Sequence, residues 1–413
     1  MNGVLSRLGW ISAVVWFSAS CFGAESEELS LPLHTVKLDA AVHGKVLLSP
    51  ELPTDGKYAQ GTKVTVKAVP DEGFALDCIY IAQPGRWGFQ YDEAMASERV
   101  VEINRDMNIG ASFVAESEVD HITVKHNVVY AKPGKKALKY DVFSPKGVKD
   151  LPCIVIIHGG GWVLNCEDVM RGLARELTKG GKLVVCSIDY RWAGKADGDE
   201  EGNTMADLIG DVYGAIAHIR EHAAEYGADP DRIGLTGDSA GGHLSATASL
   251  MVNKIGEGGF GKKPGVFEFM PTYLPEGMTA EQLRTELLKS IKAAAPSYGV
   301  FASSSLNHYS NDPAANNSWK KEISPQDNIP EASERAVPQF LVLGTQDELI
   351  TDKMVSDFKA ALETKGQRAE YVKVEGAHHA FFDWKPDTQT KDAFYKYGVP
   401  YAAKMKAFFL ETL

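Results

Sequence analysis

Residues Gly237-Asp238-Ser239-Ala240-Gly241-Gly242 join a β-type run, Arg232-Ile233-Gly234-Leu235-Thr236, to a helical one, His243-Leu244-Ser245-Ala246-Thr247-Ala248. A strand that turns into a helix over so few residues brings its backbone very close to its neighbours. Only small residues two places either side of the apex, here Gly237 and Gly241, permit that approach. The apex residue, Ser239, is held in a strained conformation with its hydroxyl presented outward. This is the sequence form of a nucleophile elbow, and it demands a strand before it and a helix after it.

The surrounding chain supplies that alternation. Strand-like runs at 137–143, 153–157, 183–188 and 340–343 alternate with helical ones at 205–226, 353–363 and 402–411. Gly227 is a helix stop signal, and Asp229-Pro230 opens the turn into the elbow strand. The later strands are continuously apolar, which suits a parallel sheet buried on both faces. Residues 119–413 therefore read as an α/β domain with a mainly parallel central sheet. Residues 30–118 have a different texture. Val46 and Leu48, then Val64, Val66 and Ala68, then Val100, Val101 and Ile103 give short strands between Gly, Pro and Asp turn signals, with no long helical period. A small all-β domain is expected there.

The first residues read as an export signal over 1–24: Arg7, an apolar stretch from Leu8 to Phe17, then Ser18-Ala19-Ser20 and a cleavage point near Gly23 or Ala24. The alternative is a lipid anchor on Cys21. No later segment has the ~20 apolar residues of a membrane helix, so a periplasmic or extracellular protein is expected. The net charge of -12 argues against nucleic acid or an anionic membrane as the main partner, because both demand clustered Lys and Arg. Four further cysteines, Cys78, Cys153, Cys166 and Cys186, permit disulfides in an exported chain. Cys153 and Cys186 lie in apolar runs that suit buried free thiols. Cys166, in a loop, is the first candidate to pair, although no bridge is assigned.

Upstream of the elbow stands His158-Gly159-Gly160-Gly161-Trp162, directly after the strand ending at Ile157. Glycines there let backbone N–H groups of Gly160 and Gly161 turn toward a carbonyl oxygen as it becomes an oxyanion, with the N–H of Ala240 as a further donor. Downstream, Asp347 follows a buried strand and emerges at its C-terminal end, while His378 and His379 follow the strand 371–374. Nucleophile, acid, histidine is the chain order of an α/β-hydrolase triad. Glu348 and Asp352 compete with Asp347 by proximity. Asp238 reads as a structural hydrogen-bonding residue, and His243 as packing.

With these motifs in place, residues 120–413 resemble the esterase and lipase families of the α/β-hydrolase fold that carry His-Gly-Gly-Gly and Gly-Asp-Ser-Ala-Gly-Gly, related to hormone-sensitive lipase and to carbohydrate-active acetyl and feruloyl esterases. The resemblance implies Ser239 as nucleophile, Asp347 as orienting acid, and Gly160, Gly161 and Ala240 as oxyanion donors. A Gly-x-x-His-small-Phe pattern matches Gly376, His379, Ala380 and Phe381, which selects His379 over His378 as base. The chain departs from the pattern with Ala380 where glycine is usual and with a bulky His378. The stretch from Gly44 to Phe74 resembles one copy of a small repeat domain of bacterial surface and secreted proteins, lacking the usual tryptophan where Ile79-Tyr80-Ile81 stand.

Three patterns have weaker context. His218-Ile219-Arg220-Glu221-His222 fits a zinc-peptidase spacing, but on a helix expected to pack before the elbow strand. Gly256-Glu257-Gly258-Gly259-Phe260-Gly261 follows a helix rather than a strand, and Gly261-Lys262-Lys263 lacks the Ser/Thr of a phosphate loop. Residues 253–290 look inserted, as a cap or groove wall. Trp162, Tyr190, Trp192, Tyr298, Phe301 and Trp384 fall near strand ends or loops, where they could stack on sugars or line an acyl pocket, although core packing accounts for any one of them at least as well. The expectation is an exported serine esterase using no metal or organic cofactor. Its substrate is a short acyl ester, acetyl first, on a polysaccharide or a small molecule. The N-terminal domain reads as a spacer or packing domain first, with contact to a cell surface or glycan as the alternative. The rivals are a general short-chain carboxylesterase or lipase, an S9-like peptidase, and a non-catalytic surface-binding homologue.

Overall fold

The computed structural model describes residues 31–85, 88–260, 263–309 and 319–413. The export signal over 1–24 and Cys21 lie outside these residues, as do Gly261 and Lys262.

Eight strands form first: β1 (Leu33–Leu38), β2 (Gly44–Ser49), β3 (Lys57–Ala59), β4 (Lys63–Pro70), β5 (Phe74–Gly85), β6 (Gly88–Ala94), β7 (Glu98–Glu102) and β8 (Met107–Ala115). They make a five-stranded sheet, order β3-β1-β8-β5-β6, and a three-stranded sheet, order β2-β4-β7. In β4 the alternation expected from sequence puts Val64, Val66 and Ala68 inward. These residues share one core with Val36, Ile79, Ile81, Val101, Ile109 and Phe113. The β5–β8 ladder breaks between Leu76, opposite Phe113, and Cys78, opposite Ser112. Asp77 is the extra residue of that bulge, and a bulge re-aims the side chain it carries.

The second part is an eight-stranded sheet of β9 (Ile122–Ala131), β10 (Leu138–Pro145), β11 (Leu151–Ile157), β12 (Val184–Ile188), β13 (Ala228–Asp238), β14 (Ile291–Ser297), β15 (Gln339–Gly344) and β16 (Ala369–Val374). Its order is β16-β15-β14-β13-β11-β12-β10-β9. The six strands from β11 to β16 run parallel, and β10 is antiparallel to both of its neighbours. Every residue of β12 and β15 is buried, as their unbroken apolar runs require. The helices are α1 (Arg171–Thr178), α2 (Met205–Glu221), α3 (Ala223–Tyr226), α4 (Ala240–Leu250), α5 (Ala280–Ser290), α6 (Ser303–Tyr309), α7 (Asp352–Thr364), α8 (Thr388–Ala393) and α9 (Val399–Thr412). α1 packs with α9, and α2 with α4. Thr204 and Asp207 close a reciprocal cap on α2. The single helix expected over 205–226 is broken at His222, and Gly227 in a left-handed conformation ends α3.

The insertion 253–290 meets α2 through Thr272, reaches β13 and β14 through α5, and packs on itself through Phe260 and Phe269. The Thr272 N–H donates to the Gly210 carbonyl, the Thr272 hydroxyl binds Asp211, and Phe260 stacks on Phe269 at 5.5 Å.

Candidate active site

β13 ends at Asp238 and α4 begins at Ala240, leaving Ser239 alone at the apex with φ 52° and ψ -114°. That is a costly conformation for a residue with a side chain, and the packing around it enforces it. A Cβ on Gly241 would overlap the carbonyl oxygen of Ile157 at the end of β11, and one on Gly237 would overlap the same oxygen. Strand and helix thus touch through backbone alone.

The Ser239 hydroxyl lies 2.9 Å from His379 Nε2, and His379 Nδ1 lies 2.8 Å from Asp347 Oδ2. The second oxygen of Asp347 accepts the N–H groups of Leu349 at 2.9 Å and Ile350 at 2.8 Å, so the carboxylate is fixed from both sides. The Asp347 side chain is fully buried and that of His379 is 14% exposed. β15 and β16 present these two residues side by side, and the Gln346 N–H donates to the Ala377 carbonyl at 2.9 Å. The neighbouring residues go elsewhere. His378 is 65% exposed and pairs with Glu348 at 2.5 Å. Asp352 binds Tyr371 and Lys373. Ala380, where the sequence departs from its pattern, takes φ 60°, the left-handed conformation that glycine would adopt without strain.

After β11 the chain turns at Gly160 (φ 116°) and Gly161 (φ 59°). The N–H groups of Gly160, Gly161 and Ala240 donate to no other described residue. The loop that carries the first two is held from behind. The Gly159 N–H donates to Asp238 Oδ1 at 2.6 Å, and Tyr190 donates to the His158 carbonyl at 2.9 Å. The His158 ring stacks on Tyr190 at 4.2 Å and faces Asp189 at 3.3 Å. Burial, reinforced by the Asp383 carboxylate, pushes Asp238 upward from the usual carboxylate range. Trp162, itself at φ 62°, donates from Nε1 to His243 Nδ1 at 3.3 Å. The other His243 nitrogen donates to the Ile323 carbonyl at 2.9 Å, a pair of bonds that suits a neutral ring. Burial pushes His243 down to about 4.

Of the two readings of the aromatic side chains, packing holds for five of the six. Trp162, Tyr190, Tyr298, Phe301 and Trp384 are all buried. Tyr298 packs edge-on against His379 with ring centroids 5.0 Å apart, and Phe301 stacks on Phe358. Trp192 is partly exposed. It is tied by Nε1 to the Asn165 carbonyl at 2.9 Å and lies under the ammonium of Lys136 at 4.5 Å. Among the described residues Cys166 is unpaired, as are Cys78, Cys153 and Cys186, and its thiol faces Asp168. Cys153 and Cys186 are buried with sulfurs 4.0 Å apart. On α2, His218 bonds to Tyr140, and His222, just past its end, bonds to Glu225. The sequence reading missed the buried cluster around Asp77, Arg171 and Trp384, because nothing in local spacing links residues 77, 171 and 384.

A family model described as alpha/beta hydrolase fold matches residues 154–383. The match covers more than half of the sequence, so the chain belongs to the alpha/beta hydrolase fold family. A second model, a divergent InlB B-repeat domain, matches residues 34–115. Among curated relatives, carboxylesterase NlhH of Mycobacterium tuberculosis is 38% identical over 116 residues, covering 28% of this chain and 34% of that protein. Esterase LipQ of the same organism is 29% identical over 245 residues, covering 56% of this chain and 50% of LipQ. The chain thus spans between a third and a half of the length of these relatives. Among solved structures, Thermogutta terrifontis esterase 2 phosphoramylated by tabun is 26% identical with a TM-score of 0.50, over 69% of this chain and 93% of that one. A truncated carbohydrate esterase from gut microbiota shares the fold at 23% identity and a TM-score of 0.50, over 71% of this chain and 97% of the other.

Proposed function

We propose that the chain is a serine carboxylic-ester hydrolase whose catalytic groups are Ser239, His379 and Asp347. The observation that carries this reading is the continuous hydrogen-bonded line from the Ser239 hydroxyl through His379 to the buried Asp347. Membership of a fold family whose matched relatives are named carboxylesterase and esterase supports it. His379 Nε2 takes the serine proton as Oγ attacks the ester carbonyl. Asp347 keeps the imidazole in the tautomer that leaves Nε2 free and stabilises the imidazolium that forms. The N–H groups of Gly160, Gly161 and Ala240 receive the oxyanion. His379 returns its proton to the departing alcohol, and water, deprotonated by the same imidazole, releases the acid from Ser239. Each step uses protein groups and water.

The substrate in this reading is an acetyl or other short acyl ester on a polysaccharide. Residues 1–24 act as an export signal, 30–118 as an accessory β domain and 119–413 as the catalytic domain. The apolar leader and the likeness of residues 34–115 to a bacterial repeat domain support export. A second reading, a general short-chain carboxylesterase, draws on the names of the mycobacterial relatives.

p-Nitrophenyl acetate decides the chemistry. Ser239→Ala is expected to lower kcat by at least about 10⁴-fold, and equal rates for the two proteins would sink the assignment. Rates on acetate, butyrate and octanoate esters, set beside acetate release from acetylated xylan, then separate the two substrate readings.

A further inference from the structure

The N-terminal strands and the hydrolase fold meet at a buried set of charges, and its centre is the bulge residue of β5. The Asp77 carboxylate accepts five hydrogen bonds. Oδ1 takes Arg171 Nε at 2.9 Å and Arg175 Nη1 at 2.8 Å. Oδ2 takes Arg171 Nη2 at 2.8 Å, the Ser112 hydroxyl at 2.9 Å and Trp384 Nε1 at 2.9 Å. Arg171 also pairs with Glu93 of β6 at 2.6 Å, and the Arg175 guanidinium lies 4.4 Å over the Trp384 ring. Against the upward push of burial, the two arginines hold Asp77 well below the usual carboxylate range. This joint is no greasy patch between independent modules. Its arginine forks fix one relative position, because a charge buried there without its partner is strongly unfavourable.

Trp384 stands five residues beyond His379. Between them the chain passes through Ala380 in its left-handed conformation, and the Phe382 N–H reaches the Tyr298 hydroxyl at 3.4 Å. Trp384 then fills the space over Gly172 of α1, and its N–H donates to the Val169 carbonyl at 2.8 Å. Its indole N–H is given to a residue of the N-terminal strands. Tyr91 of β6 faces the same segment, since burial, together with the Asp387 carboxylate that caps α8, pushes its hydroxyl upward from the usual phenol range. The loop bearing His379 is therefore held on one side by Asp347 and Ser239 and on the other by Asp77.

We propose that Asp77 is a positioning residue for His379, so that the N-terminal strands form the fixed wall of the histidine loop rather than a spacer. The inference rests on the esterase reading for its kinetic consequence, but the tether itself is testable without it. In the full-length chain, Asp77→Ala removes the acceptor. Trp384→Phe removes the donor and part of the ring but leaves both arginines paired with Asp77, so it decides the question should Asp77→Ala fail to fold. Hydrogen exchange is followed on peptides covering 379–391, with β11 and β13 as internal references, alongside kcat and KM for p-nitrophenyl acetate. The expected result in the folded variants is exchange at 379–391 accelerated about tenfold more than at the references. Alongside it, kcat falls by about tenfold or more while KM stays within about twofold, as a displaced base predicts. Exchange at 379–391 accelerated no more than at the references overturns the tether. Faster exchange with an unchanged kcat overturns the positioning role. If hydrolysis by the parent proves independent of Ser239, the esterase reading falls, and the exchange result still decides whether Asp77 holds the loop.

Discussion

Asp238 sits next to the nucleophile in sequence and turns away from it, so that one carboxylate oxygen accepts the Gly159 N–H and fixes the loop of the proposed oxyanion donors. Asp238→Ala removes that acceptor and frees the loop. A fall in kcat of about 10²-fold is expected, comparable to the loss of one oxyanion donor. Asp238→Asn keeps an oxygen in place and should stay within about threefold by the same assay. Equal losses in the two variants would assign the effect to charge instead. His243 gives a second prediction at this scale. Its folded value is pushed down to about 4 while the unfolded chain binds a proton near 6.5, so the unfolded state gains protons first as pH falls. The His243 contribution is thus whole above pH 6.5 and is lost on acidification toward pH 4, to the order of 3 kcal/mol. Urea unfolding of wild type and His243→Asn across pH 4–7 measures it, and the slope attributable to one proton should vanish in the variant.

At the scale of elements, the elbow is a joint in which β11, β13 and α4 meet through backbone alone. Gly241→Ala would drive a methyl group into the Ile157 carbonyl, which belongs to a central strand that cannot yield. Loss of Ser239-dependent hydrolysis and destabilisation of about 3 kcal/mol or more are expected, read by thermal unfolding. Such joints are legible in sequence because they are local: glycine spacing, an apolar strand and a following helix all lie within a dozen residues. The strand ends that present Asp347 and His379 are legible for the same reason. The fate of the aromatic residues was not. Whether Tyr298 or Trp384 faces a substrate depends on which distant chain covers it, and each is buried by residues far away, Phe382 in one case and Asp77 in the other. Cys166 misled in the same way, because a loop position says nothing of whether another thiol lies within reach. His222 ends α2 where apolar periodicity alone carries the helix on.

For the whole molecule, the cluster at Asp77 makes a stability statement as well as a positional one. Replacing Asp77 by Ala strands the buried Arg175 and leaves the buried Arg171 only its ion pair with Glu93, and a cost of about 3–5 kcal/mol is expected, measured as a lowered urea midpoint. A loss below about 1 kcal/mol would mean that water enters the joint freely. The two parts of the chain were separable by their sequence texture, one β-rich and one alternating. Their attachment was not, because a single aspartate in a strand bulge looks like any solvated acid.

The hydrogen bond between Asp77 and Trp384 spans 307 residues of chain. Closing a loop of that length costs about 5 kcal/mol in chain entropy beyond a constant, so it forms only when both ends are already ordered. During synthesis the N-terminal strands emerge well before residue 384 exists, so Asp77 meets Ser112 and the two arginines ahead of Trp384. The order of assembly then runs opposite to the order of chemistry. The serine elbow is built midway, while His379, the proposed base, is set in place only once the chain beyond Trp384 has been made, so a half-made molecule carries Ser239 without its proposed partners.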